Sequence, residues 1–233
     1  MPTTKDVDEH PIIFNDWSIN HILAGEKTQT RRIVQPQPPD DINEPFWDDE
    51  GQEWQANHDT RQNGRPMTLP RWTAESPYGQ PGAWLWVREA FRFDAAFDDA
   101  SPTELVRDLP RDRRLRRESV QYEATPEDGP FTEETQGRKR PSIHMPRELG
   151  RIRLRVEDVR VERVQEITAA DAAAEGIRVG TPDHAPANTN AAQEIQAEKY
   201  ILGFKQKWND IHGNGAWERN GWVWVIEFSR LEP

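Results

Sequence analysis

The chain has 233 residues, room for one decorated domain or two small ones; with 34% hydrophobic residues, 19 prolines and 14 glycines, it predicts a compact core carrying long polar loops. No apolar run approaches the ~18 residues of a membrane span, and the acidic start MPTTKDVDEH lacks the regions of a signal peptide, so a soluble cytoplasmic protein is expected. The absence of cysteine excludes disulfides, thiolate zinc sites and a Cys nucleophile, and a net charge of −11 argues against non-specific binding to duplex nucleic acid.

In chain order, Asn15 or Asp16 caps a short helix with Trp17, Ile19 and Ile22/Leu23 as its apolar face, and Gly25 is placed as the C′ glycine. TQTRRIV then alternates like a strand. Residues from about 35 to 81 read as a long insertion with little regular structure. GAWLWVREAFRF follows a Pro81-Gly82 turn as a central strand, with Trp84, Trp86 and Arg88 on one face. A second, highly charged insertion spans about 94–141, with Arg107, Arg111, Arg113, Arg114, Arg116 and Arg117 crowded together as a solvated run or a local phosphate-facing patch.

RIRLRVEDVRVERV carries the clearest strand signal. Ile152, Leu154 and Val156 share one parity and Val159 and Val161 the other, which predicts a bulge or a break at Glu157-Asp158. Thr168 and Asp171 form a capping box for a short Ala-rich helix ending before Gly176. A third insertion covers about 178–192. An amphipathic helix follows, with Ile201, Phe204, Trp208 and Ile211 on one face, and Gly213 stops it. GWVWVIEF closes as a strand apolar on both faces. Short helices among several strands predict an α+β fold, a small mixed β-barrel flanked by helices, in a single domain over 1–233.

The chain contains no P-loop, no dinucleotide fingerprint, no zincin motif and no nucleophile elbow. Its six histidines are dispersed; His144, in SIHMPR, is either a pocket residue or a hydrogen-bonded structural one. In GEKTQTRR, Lys27 follows a chain reversal where a partly desolvated amine would act as a base, and Thr30 lies three residues on. A Thr hydroxyl is a weak nucleophile until a base takes its proton, so this pairing makes chemical sense. Glu175 ends its helix against the macrodipole, as functional residues sometimes do. A plain helix stop before a polar strand accounts for the same residues, and the sequence leaves both readings open.

The stretches ILAGEKTQTRR, SPYGQPGAWLWVREAF, PSIHMPR, RIRLRVEDVRVERVQEITAADAAAEGI and WNDIHGNGAWERNGWVWVIEF resemble, in the same order, bacteriophage and prophage members of the ASCH family. The resemblance runs between Phe14 and Phe228, skipping the two charged insertions. It implies a PUA-like β-barrel, a fold associated with RNA and modified-base recognition. Small bacterial members similar to this chain over the core motifs are amidohydrolases that deacylate N4-acetylcytidine, and their Lys-Thr-Glu triad carries over to Lys27, Thr30 and Glu175. Arg31, Trp84, Trp86, Arg88 and His144 are then candidate substrate-binding residues. No metal or organic cofactor is implied.

Two functions from different classes follow. One is an amidohydrolase acting on N4-acylated cytosine, with a modified nucleoside or base as its partner. The other is a non-catalytic module that binds RNA or a modified base. A third possibility is a phage accessory protein whose insertions bind a host protein.

Overall fold

The computed structural model describes residues 7–39, 42, 45–56, 72–108, 111–112, 114–180 and 190–232. Arg113 and stretches 57–71 and 181–189 of the first and third insertions lie outside the described residues. The first elements are β1 (Glu9–Ile13), α1 (Asp16–Leu23), β2 (Gln29–Ile33), β3 (Phe46–Asp48), β4 (Glu53–Ala56) and β5 (Trp72–Ala74). Then come β6 (Trp84–Arg88), β7 (Phe91–Arg92), β8 (Gln121–Tyr122), β9 (Arg153–Arg163), α2 (Ala169–Ala174), α3 (Asn190–His212) and β10 (Trp222–Leu231). The chain separates into two compact units: Met1–Gly25 with Gly82–Val156 and Ser229–Pro233, and Glu26–Pro81 with Glu157–Phe228.

In the first unit the strand order is β1-β6-β9. β1 runs parallel to β6, with Glu9 opposite Trp84, and β6 antiparallel to β9, with Leu85 opposite Leu154. Alternation sends Ile12, Leu85, Val87, Leu154 and Val156 to a buried face. Trp84, Trp86 and Arg88 share the other, half-buried face, as their parity predicts. α1 starts at Asn15, whose side chain accepts from the Ser18 amide at 2.9 Å, and it buries Ile19 and Ile22. The reading of GAWLWVREAFRF as one strand is corrected: β6 stops at Arg88, and β7 pairs instead with β8 from the second insertion. That insertion builds its own small core, in which Leu105, Val106, Val120 and Tyr122 pack with Phe91, Phe93, Met145 and Leu149.

In the second unit the order is β9-β10-β2, with β10 antiparallel to β2 so that Ile226 faces Thr30 and Val225 faces Arg31. Trp222 to Ile226 are all buried, as an apolar run on both faces requires. β9 is one continuous strand, and its parity change is absorbed at Glu157-Asp158, where the first unit gives way to the second. The expectation of little regular structure in the first insertion is corrected: β3, β4 and β5 form an antiparallel meander. It packs through Trp54 and Trp72, whose rings lie 5.9 and 6.5 Å from that of Trp224. On α3 only Phe204 and Trp208 of the expected stripe are buried, while Ile211 is 54% exposed.

The architecture is α+β with several sheets. Among the described residues no sheet closes into a barrel, since β1 and β2 end their respective orders. Pro11 suits β1 to an edge, because it has no N–H to offer a further strand.

Candidate active site

The segment after Gly25 is held by its backbone. The Thr28 amide donates to the Ala174 carbonyl at 2.8 Å, and the Phe228 amide donates to the Thr28 carbonyl at 2.8 Å. Lys27 is thereby set against the last turn of α2. That helix is short, and its start is defined by the capping box: Thr168 Oγ1 accepts from the Asp171 amide at 3.1 Å, and Asp171 Oδ2 accepts from the Thr168 amide at 3.0 Å. Glu175 is its C-cap, and Gly176, at φ 95°, makes the left-handed turn that follows.

Lys27 Nζ lies 2.5 Å from Glu175 Oε2 and also donates to the Glu175 carbonyl at 2.9 Å. Both residues are buried, at 4% and 5% exposure. Burial is the largest influence on the Lys27 amine and pushes its pKa below the ordinary lysine value; the Glu175 carboxylate opposes this, and Arg32 and Arg31 reinforce it. The result is an amine that yields its proton more easily than a free lysine, with a carboxylate in contact.

Arg31, in β2, braces this pair. Its side chain is fully buried, and its guanidinium reaches Glu162 Oε2 at 3.1 Å, Asp171 Oδ2 at 3.4 Å and Glu175 Oε1 at 3.7 Å. The Phe204 ring covers it at 5.8 Å. Arg160 continues the network, with contacts to Glu162 at 2.5 Å, Glu227 at 2.6 Å and Asp171 at 3.2 Å. Burial disfavours the Asp171 carboxylate, but the Thr168 amide and hydroxyl with Arg31 and Arg160 hold its pKa below the usual range. A helix-capping residue thus also anchors the site.

Thr30 is buried in β2, and the strand's alternation places it with Arg32 on the face opposite Gln29 and Arg31. Burial lowers the pKa of Arg32, against the pull of Tyr78 and Glu175, and burial raises that of Tyr78 against the pull of Arg32. Arg32 and Tyr78 are therefore within electrostatic reach of one another, and Arg32 of Glu175.

Of the residues expected from sequence, Lys27, Arg31 and Glu175 come together in the second unit, and Thr30 is buried in β2 of the same unit, on the strand face opposite Arg31. Trp84, Trp86, Arg88 and His144 belong to the first unit and have surroundings of their own. The Arg88 guanidinium lies 5.5 Å from the Trp86 ring and donates to the carbonyls of Ser142 and Ile143. His144 is exposed beside Lys139 and Arg140 on a groove. Sequence reasoning did not find Asp171, Glu162, Arg160, Arg32 or Tyr78 as parts of the site; the charge alternation of Arg160-Val161-Glu162 on β9 was the available signal. Among the described residues no group of three or more His, Asp or Glu side chains is arranged to hold a metal ion.

No protein-family model matches the chain, and neither a curated protein nor a solved structure does.

Proposed function

We propose that the protein is an ASCH-type, PUA-like amidohydrolase that removes the acyl group from N4-acetylcytidine or a related N4-acylated cytosine. The observation that carries this reading is the buried Lys27–Glu175 contact at 2.5 Å, with the buried Thr30 three residues further along the chain. A lysine whose proton is loosened by burial gives up its proton at lower pH than an exposed lysine and so is better placed to act as a general base.

Thr30 Oγ1 adds to the acyl carbon while its proton passes to Lys27 Nζ. The C–N4 bond then breaks as Lys27 returns that proton to the leaving nitrogen, freeing the cytosine amine and leaving an acyl ester on Thr30. Water attacks the ester, Lys27 relays its proton to the Thr30 oxygen, and the carboxylic acid departs. Glu175 orients Lys27 and balances its charge when protonated. Arg31, committed to three carboxylates, is a positioning residue in this scheme rather than a substrate contact.

Intact-mass analysis of acid-quenched turnover tests the scheme: an acylated chain is expected with wild type and not with Thr30→Ala. Acylation of both would remove Thr30 from the nucleophile's place.

A second reading, a module that binds a modified base without chemistry, draws support from the same pair, because the two Lys27 donations to Glu175 also describe a structural ion pair. Retained base binding without turnover would favour it.

A further inference from the structure

One face of the first unit alternates aromatic rings and guanidinium groups. In the antiparallel register Trp84 stands opposite Arg155 and Trp86 opposite Arg153, and directly opposed residues share a face. The Arg88 guanidinium adds a third cation, 5.5 Å from the Trp86 ring. Both tryptophans are half-buried and Arg155 is exposed, whereas Leu85, Leu154 and Val156 on the other face are buried. This half-open face carries more aromatic surface than a solvated sheet needs.

A shallow groove of about 610 Å3 lies in the same unit, floored by Val106 and Leu115 and walled by Arg111, Arg114, Arg116 and Arg117. Its acids are Glu118 and Glu148, and Glu148 is already held by Arg107 at 2.7 and 3.0 Å. Glu9, next to Trp84, is likewise held by Arg147. Arg117 of the groove wall donates to the Glu148 carbonyl at 3.4 Å, and the adjacent Arg147 holds Glu9 beside Trp84, so residues 147 and 148 join the groove to the sheet face. In a chain of net charge −11, this concentration of cations runs against the global balance.

We infer that this face and groove bind a single-stranded polynucleotide, with bases stacking on Trp84 and Trp86 and phosphates meeting the arginines. Every cation on the groove wall is arginine, and none is lysine. Guanidinium groups match phosphates in bidentate geometry and also stack on bases, whereas an acidic peptide needs only point charges. Aromatic platforms beside a basic track are the shared physical solution for single strands, since every base has a stacking face. A duplex hides those faces. The inference stands apart from the Lys27 reading, because its residues are all in the first unit and none of them is placed in the chemistry.

The test is fluorescence anisotropy of the full chain with a short labelled single strand, as RNA and as DNA, and with the matching duplex, across a range of salt. Either single strand should bind more tightly than the duplex, with a log–log salt slope of about −0.7 per phosphate contact. The exposed double variant Arg111→Glu/Arg116→Glu should reduce that slope by about 0.7 for each arginine that meets a phosphate. Trp84→Ala should weaken binding roughly tenfold, the scale of one lost base–aromatic stack. Thermal melting checks that each variant is folded, and Arg155→Glu, on an exposed strand position, replaces any that is not. Preference for RNA or for DNA would identify the source of the strand. Three results would each overturn the inference: no binding of either strand at low salt, unchanged binding in the folded charge variants, or equal competition by polyglutamate.

Discussion

Lys27 Nζ and Glu175 Oε2 are 2.5 Å apart although the residues are 148 positions apart in sequence, and both are buried. The pair ties the turn before β2 to the C-cap of α2. An isolated buried charge is far more costly than a buried pair, so each residue depends on the other for its place in the fold as well as for any chemistry.

Removing one partner should therefore destabilise the protein more than removing both. Glu175→Ala is expected to cost about 3–5 kcal/mol, because it leaves a buried ammonium without its carboxylate. The double variant Lys27→Met/Glu175→Ala should recover much of that loss, measured beside each single variant. Urea unfolding of the four proteins in the cycle reads the coupling directly, and additive losses would mean the pair is not coupled.

The lowered pKa of Lys27 sets two pH dependences. Activity should rise with pH along a limb that lies below the ordinary lysine value of 10.5, as Lys27 loses its proton. In the window between the lowered folded value and 10.5, the unfolded chain binds more protons at this residue than the folded chain. Stability at this site therefore increases as pH rises through that window and is lost as pH falls back through it. The stability difference between wild type and Lys27→Met, followed against pH by denaturant unfolding, isolates this contribution.

Arg31→Lys should behave as a severe substitution. A single ammonium cannot span Glu162, Asp171 and Glu175 as the guanidinium fork does, so buried carboxylate oxygens lose partners. The expected outcome is a clear drop in melting temperature, together with a loss in kcat that exceeds any change in KM. An effect on KM alone would place Arg31 against substrate instead.

Thr168→Ala tests whether the start of α2 matters to its end. Loss of the cap should cost about 1 kcal/mol. Because Asp171 is shared between the capping box and Arg31, kcat should fall as well, and Thr168→Ser should restore both. Stability loss with unchanged kcat would separate the cap from the site.

Trp54→Ala tests the meander of β3 to β5. Trp54 is buried against Trp224, so truncation should cost roughly 3–5 kcal/mol, measured by denaturant unfolding. A loss below about 1 kcal/mol would mean that the meander is not docked through this contact.

Much of the local structure was legible in sequence because its signals are local. The Thr168–Asp171 box, the left-handed glycines at 25, 176 and 213, and the apolar run from Trp222 to Ile226 each declare an element within a few residues. The meander escaped because its strands have only three or four residues, too few for alternation to stand out. Lys27 was legible as a candidate base after a chain reversal, and Glu175 as a carboxylate set against its helix macrodipole. The network around them was not: Arg31 finds Glu162 131 positions away, and nothing local to either residue announces that pairing. The closed barrel was an extrapolation from strand count, which says nothing about whether edges meet.

The most direct test of the central claim is conversion of N4-acetylcytidine to cytidine by the purified protein, followed beside Lys27→Ala. The account predicts turnover by wild type and none by the variant, with both folded by thermal melting. A folded wild type that leaves N4-acetylcytidine and its acyl analogues untouched, or a folded variant that turns them over equally well, would contradict it.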